Sequence, residues 1–209
     1  ISFFATGKMM RNRQKLADSP LLVVLLGAIM AVVPFAVDAY LPALSIMADY
    51  FGVPLVQVNL TVSTYLIGHA LGTFLGGALS DQLGRKPLGS FGLLLFSAST
   101  LSIAFAETIL QVQMYRIFQA VGGGFAAVVC MAQVRDFYPT EEIPQRMATV
   151  MLVMLVAPMI APLVGFFLLH FGWQTIFAVL ALYSLFLWYV FMFRIPESVY
   201  NLPERFELR

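Results

Sequence analysis

Four residues stand where an apolar chain has no packing reason to place them: Asp38, His69, Arg116 and Gln119. Asp38 closes the run Ala31-Val32-Val33-Pro34-Phe35-Ala36-Val37, and Arg116 and Gln119 interrupt a long aliphatic stretch over 110–133. A carboxylate among aliphatic side chains is suited to taking up and releasing a proton, while an arginine keeps its charge and orders or tunes what lies near it. A static ion pair, or an aspartate close enough to a surface to stay hydrated, satisfies the same residues. Gln119 lies one helical turn from Arg116 on the same face, placed to bond either the guanidinium, a ligand or another helix. His69 offers a titratable imidazole, although a hydrogen-bonded packing role is the commoner use of such a residue. Tyr40, Tyr65, Phe35 and Met154 suit a greasy cavity, or equally plain packing.

Other chemistry is not supported. The single cysteine, Cys130, excludes an internal disulfide and a cysteine-based metal site. No serine–histidine pair, two-carboxylate arrangement or metal-ligand cluster is legible, so neither an enzyme, a metal nor a cofactor is expected. The chain lacks a long basic patch, and nucleic acid is not implied.

The elements that position these residues follow from composition. Of 209 residues, 60% are hydrophobic and 11% charged, against roughly 25% charged in soluble domains. The solvent for so much apolar surface is lipid. Six stretches reach the length of about 20 residues needed to cross a bilayer as a helix: 21–43, 59–80, 87–106, 110–133, 147–169 and 173–193. They are too long for barrel strands, and lipid admits no other backbone. The basic segment Lys8–Lys15 before 21–33 has the look of a signal peptide. The apolar run continues too far for one, and no small-residue cleavage site follows.

Basic residues orient the spans. Lys8, Arg11, Arg13, Lys15, Arg85, Lys86, Arg135, Arg146, Arg194, Arg205 and Arg209 all fall on one side, and the loops at 44–58, 107–109 and 170–172 hold none. Both ends are therefore expected in the cytoplasm, with a cytoplasmic segment over 1–20, a six-helix bundle over 21–193 and the start of a cytoplasmic linker over 194–209. In this frame Asp38 and Arg116 both lie roughly 10 Å below the outer boundary, at 1.5 Å per residue, where mutual support is geometrically feasible. Gly68, Gly72, Gly76 and Ser80 recur every four residues, a stripe that admits close helix contact, and Gly122-Gly123-Gly124 repeats the theme. Pro158 and Pro162, with Gly165 after them, predict a bend in the fifth span, used for gating or merely for packing. Trp173, Trp188 and Tyr189 read as interface anchors.

Several segments converge on one family. Gly77-Ala-Leu-Ser-Asp81-Gln82-Leu-Gly84-Arg85-Lys86-Pro87 closely resembles the signature loop of the major facilitator superfamily, departing from it at Gln82, where a basic residue is usual. Arg116-Ile-Phe-Gln119-Ala-Val-Gly122 resembles the fourth-span motif of its proton-coupled exporters. Ala157-Pro158-Met-Ile-Ala161-Pro162-Leu-Val-Gly165 looks like the fifth-span motif of its drug:proton antiporters, with alanines in place of the usual glycines. Asp38-Ala-Tyr40-Leu-Pro-Ala-Leu, Arg135-Asp136-Phe-Tyr-Pro139 and Pro196-Glu197-Ser198 are similar to the bicyclomycin-resistance (Bcr/CflA) group.

The resemblance implies an all-α membrane fold, here one six-helix bundle with a 3+3 inverted repeat, the amino-terminal half of a twelve-helix transporter. It implies a bacterial inner-membrane antiporter that exports small hydrophobic drugs against protons by alternating access, partnered by a carboxy-terminal six-helix half and embedded in the lipid bilayer. Asp38 and Arg116 would couple the proton. Asp38, Tyr40, Tyr65, Arg116, Gln119, Met154 and Pro158 would meet substrate. Gly77, Asp81, Gly84, Arg85, Lys86 and Asp136 would form a cytoplasmic latch, and Pro158, Pro162 and Gly165 would bend the fifth span. Two other readings stay open: a symporter of small metabolites sharing the loop motif, and a half-length membrane protein that only oligomerises.

Overall fold

The structure, a computed structural model, describes residues 20–198. Expectations about the basic residues of 1–19 and about 199–209 lie outside the described residues. Among the described residues six helical spans are long and apolar enough to cross a membrane. The first span is α1 (Pro20–Asp38), a 3-10 turn (Leu41–Ala43) and α2 (Leu44–Phe51). The others are single helices: α3 (Leu55–Leu83), α4 (Arg85–Ala104), α5 (Ile109–Phe137), α6 (Ile143–Leu169) and α7 (Trp173–Arg194).

The first span is longer than its hydropathy suggests, running from Leu21 to Phe51 instead of stopping near 43. Polar Ser45, Asp49 and Tyr50 hid its last two turns. The break inside it has a local cause. Pro42 lies four residues after Asp38, so its ring collides with the Asp38 carbonyl of a continuing helix and it brings no N–H to that carbonyl. The chain tightens into the 3-10 turn and restarts as α2, which ends at Gly52 with φ 64°, a left-handed terminus glycine adopts cheaply.

The spans pack in the pattern of an inverted repeat. Exchanging spans one to three with spans four to six maps the observed contacts onto one another. Span two lies along span four as span one lies along span five; span three packs on span four as span one packs on span six; spans one and four, and three and six, meet each other. Helices α3 and α6, the exchanged pair, each bury one narrow stripe and leave the rest of their surface exposed.

Small residues set the separations. On α3 the stripe Gly68, Gly72, Gly76 faces Ile117, Val121 and Phe125 of α5, where an added Cβ on Gly72 would lie 2.5 Å from the Val121 carbonyl oxygen. Three consecutive glycines in α5 serve three neighbours, because successive residues turn by about 100°: Gly122 meets α4 at Gly92, Gly123 meets Val33 of α1 and Phe96 of α4, and Gly124 meets α3 at Gly72 and Thr73.

The fifth span runs as one helix through Pro158 and Pro162. Gly165 lies against the Ala39 backbone, where a Cβ would overlap the Ala39 oxygen at 1.7 Å. With buried Ala157 and Ala161 it continues the small stripe by which α6 approaches the first span.

Candidate functional site

The break in span one leaves backbone carbonyls at the end of α1 without helical partners, a cost that must be met inside lipid. Arg116 meets part of it. Its Nη1 donates to the Ala36 carbonyl at 2.7 Å and to Gln119 Oε1 at 3.0 Å. A cation at a helix carboxy-terminus also opposes the negative end of the helix dipole. The guanidinium carbon lies 3.8 Å from the centre of the Tyr40 ring, 5.0 Å from Phe177 and 5.5 Å from Tyr65. This aromatic box replaces hydration by cation–π attraction, because Nε and Nη2 find no hydrogen-bond partner among the described residues.

The box is itself tied down. The Tyr40 hydroxyl shares a hydrogen bond with Thr61 Oγ1 at 3.0 Å, and the Tyr65 hydroxyl donates to the Val33 carbonyl at 3.3 Å. Gln119 Nε2 donates to Thr100 Oγ1 at 2.7 Å, which donates to the Phe96 carbonyl at 2.6 Å. A buried polar chain therefore runs from α4 through α5 to the broken end of α1.

The expected pairing of Asp38 with Arg116 is not what the structure shows. Among the described residues no ion pair joins them, and the arginine is spent on Ala36, Gln119 and three rings. The physical reason is the break itself, which offers an orphaned carbonyl closer than the carboxylate and was invisible while the span was taken as one straight helix. Asp38 stays half-buried, without an ion pair or side-chain hydrogen bond among the described residues. Arg116, Gln119, Tyr40 and Tyr65 are sealed in the interior, at 0–1% exposure. Met154 is half-buried and Pro158 exposed on α6.

A second cluster forms at the opposite end of the bundle. Gly84, at φ 94°, turns the chain between α3 and α4. Arg85 Nη1 donates to Asp81 Oδ1 at 2.5 Å and to Ser80 Oγ at 2.6 Å, and its Nε donates to Asp136 Oδ2 at 3.3 Å. Asp136 sits at the carboxy-terminus of α5, where a negative charge opposes the helix dipole. Arg85 and the Ser198 hydroxyl, which donates to Asp136 Oδ2 at 2.5 Å, offset that. Lys86 enters through its backbone N–H. Gly77 stands apart and faces open space, on the wall of a cavity of about 390 Å³ between α3 and α5.

The sequence reading left Glu197 in a linker, and the structure makes it the cap of α4. Its carboxylate accepts from the backbone N–H groups of Arg85 at 3.0 Å and Lys86 at 2.9 Å, and of Ser198 at 2.9 Å. Free N–H groups and the positive dipole end make a helix amino-terminus a carboxylate site. Its two partners on α4 lie 111–112 residues away, so no local pattern announces the cap; the signal is an acid held by Pro196 just after the last span. Glu197→Ala is expected to cost about 1–2 kcal/mol by leaving two N–H groups uncapped, read as a lower thermal midpoint of the purified protein. An unchanged midpoint would mean that water caps the helix as well.

With that geometry in place, the chain matches the Major Facilitator Superfamily model over residues 20–207. The chain belongs to the major facilitator superfamily. It is 29% identical over 188 residues to the bicyclomycin resistance protein homolog of Haemophilus influenzae, covering 90% of this chain and 47% of that protein. It is 33% identical to the chloramphenicol resistance protein of Pseudomonas aeruginosa, covering 77% of this chain and 39% of that one. The fold is that of the D-xylose-proton symporter, with TM-score 0.72 at 19% identity, over 85% of this chain and 48% of the symporter. The chain thus spans less than half the length of these relatives, and its fold is one six-helix bundle of a larger architecture.

Proposed function

We propose that this chain is the amino-terminal half of a proton-coupled drug exporter of the bacterial inner membrane, with both ends in the cytoplasm. One observation carries the reading: an acid with no ion pair or side-chain hydrogen bond among the described residues sits at a break inside the first candidate membrane span, in a chain whose relatives are named for drug resistance. A carboxylate there is costly, and such residues in membrane proteins mark proton or ligand pathways. The wide apolar faces left by α3 and α6 suit a second six-helix half, and the cleft between the halves would hold the drug. Proton uptake by Asp38 from the periplasmic side would release cargo outward, and loss of the proton to the cytoplasm would reset the site.

The Arg85 cluster acts in this scheme as the cytoplasmic latch. The Asp81 side chain is 66% exposed, and exposed pairs contribute at most about 1 kcal/mol each. The Arg85–Asp81 pair therefore breaks at small cost during a transport cycle, while the more buried Arg85–Asp136 pair holds more firmly.

The test is chloramphenicol accumulation in inverted membrane vesicles containing the complete transporter, with and without a collapsed pH gradient. Gradient-dependent accumulation is expected. Accumulation that ignores the gradient would reject proton coupling, and none at all would reject drug export.

A further inference from the structure

A turn at Gly172 joins α6 to α7, yet the two helices soon part: α6 packs on α1 and α7 on α4, and they touch each other little. The gap between them, floored by α1, is a cavity of about 260 Å³ at the end of the bundle away from the latch. It runs parallel to the helices, because each lends it residues one turn apart: Phe35 and Ala39 on α1, Val164 and Leu168 on α6, Ile176 and Leu180 on α7. Tyr183 closes the inner end, its ring centre 6.2 Å from that of Phe35. From Ile176 to Tyr183 the cavity is about 10 Å long, at 1.5 Å per residue.

Its walls select an apolar guest. Among the described residues no charged side chain lines it, and its one hydroxyl, that of Tyr183, already donates to the Ala28 carbonyl at 3.1 Å. Apolar cavities exclude water and take apolar molecules, a benzene at about 150 Å³. The walls also fix where a guest enters. Ala39, Ile176 and Leu180 are buried, whereas Val179, which lines the gap from α7, is 40% exposed and Val164 and Leu168 are half-buried. The mouth therefore opens between α6 and α7. The next residues round each helix, Ile160 and Phe167 on α6 and Leu182 and Phe186 on α7, are exposed. They belong to the apolar surface that these two spans present to the bilayer, so hydrocarbon is what reaches the mouth.

The geometry points to one occupant: a length of phospholipid acyl chain, entering sideways from the leaflet that meets the α6–α7 turn, lies in this cavity as a wedge between spans five and six. The dimensions agree. One leaflet of hydrocarbon is about 15 Å deep, and the cavity begins one turn below the start of α7 and runs on for about 10 Å. Moving a chain from lipid to protein gains little hydrophobic energy, so close contact with three walls is what holds it. The wedge rests on Ala39, the residue after Asp38, and so braces the break in span one. The inference needs only the bundle in a bilayer and does not rest on drug export.

The experiment reconstitutes the purified complete transporter in vesicles of phosphatidylethanolamine and phosphatidylglycerol, doped with a phospholipid that carries a diazirine midway along one acyl chain. After illumination, adducts are mapped by peptide mass spectrometry. The expected result is adducts on the floor residues Phe35 and Ala39, besides those on the exposed faces. Val164→Phe fills the cavity from its wall, and Val179→Phe blocks the mouth from a position exposed enough to fold whatever the interior tolerates. Each should cut the floor adducts about tenfold, the scale of overpacking an occupied site. Leu182→Phe, outside the cavity, should leave them unchanged. Wild-type adducts confined to the exposed faces, floor adducts that survive both substitutions, or an equal fall with Leu182→Phe would overturn the inference. So would floor adducts that vanish on adding chloramphenicol, which would assign the cavity to cargo.

Discussion

Replacing Arg116 by alanine is expected to destabilise the fold itself, not merely to remove activity. The substitution empties a space enclosed by Tyr40, Tyr65 and Phe177 and strips the Ala36 carbonyl and the Gln119 side chain of their donor. Large-to-small changes at buried sites cost about 2–5 kcal/mol, and each buried acceptor left unpaired adds about 1–3 kcal/mol. A loss of at least about 4 kcal/mol follows, a fall of roughly 10 °C or more in thermal midpoint for a domain of this size. Arg116→Lys keeps a charge and so a partial cation–π contact, but not the planar group that reaches Ala36 and Gln119 together. It should fall between wild type and alanine. The measurement is thermal unfolding of detergent-purified protein, with membrane yield alongside. An alanine variant that folds with the wild-type midpoint and loses only proton coupling would contradict a capping role and return the arginine to the proton path.

That reassignment shows what was legible in the sequence and what was not. Span number and the type of every span followed from hydropathy, since lipid tolerates little else. The small stripe on span two reported a close approach because glycine spacing at four residues has one geometric meaning on a helix. Asp81, Arg85 and Asp136 came together as their motif implied. What failed was anything decided by a carbonyl. Ala36 has only a methyl side chain, which carries no sign of its carbonyl's role, and the α1 break is visible only when Pro42 is counted back four residues to Asp38. Counting along an unbroken helix ending near 43 also missed the last turns of the span, which continues to Phe51. Glu197 escaped for a related reason: the N–H groups it caps on α4 lie more than a hundred residues earlier. Gly165 has a packing use that its company with two prolines does not announce: its missing Cβ makes room for the Ala39 backbone.

Asp38→Asn is the sharper test of mechanism because it is expected to spare the structure. Arg116 does not depend on the carboxylate, and Asp38 has no ion pair or side-chain hydrogen bond among the described residues to lose. Asparagine is nearly isosteric and removes an ionisable group from a membrane span, where a charge costs about 2.5–3.5 kcal/mol on insertion scales. The thermal midpoint should therefore hold or rise, the reverse of Arg116→Ala. Function should move the other way. Drug-evoked proton release from the complete transporter in detergent, followed with a pH-sensitive dye, should disappear. Gradient-driven drug accumulation in vesicles should fall at least about a hundredfold, the scale of losing a positioned proton-transfer group. The two readouts separate the roles that the sequence joined. If the amide variant is destabilised, the acid is structural and the break in span one needs it. If the variant is stable and still releases a proton when drug binds, another group carries the proton. Only a stable protein that no longer couples fits an acid whose protein partners are few because its partners are, in turn, a proton and a cargo.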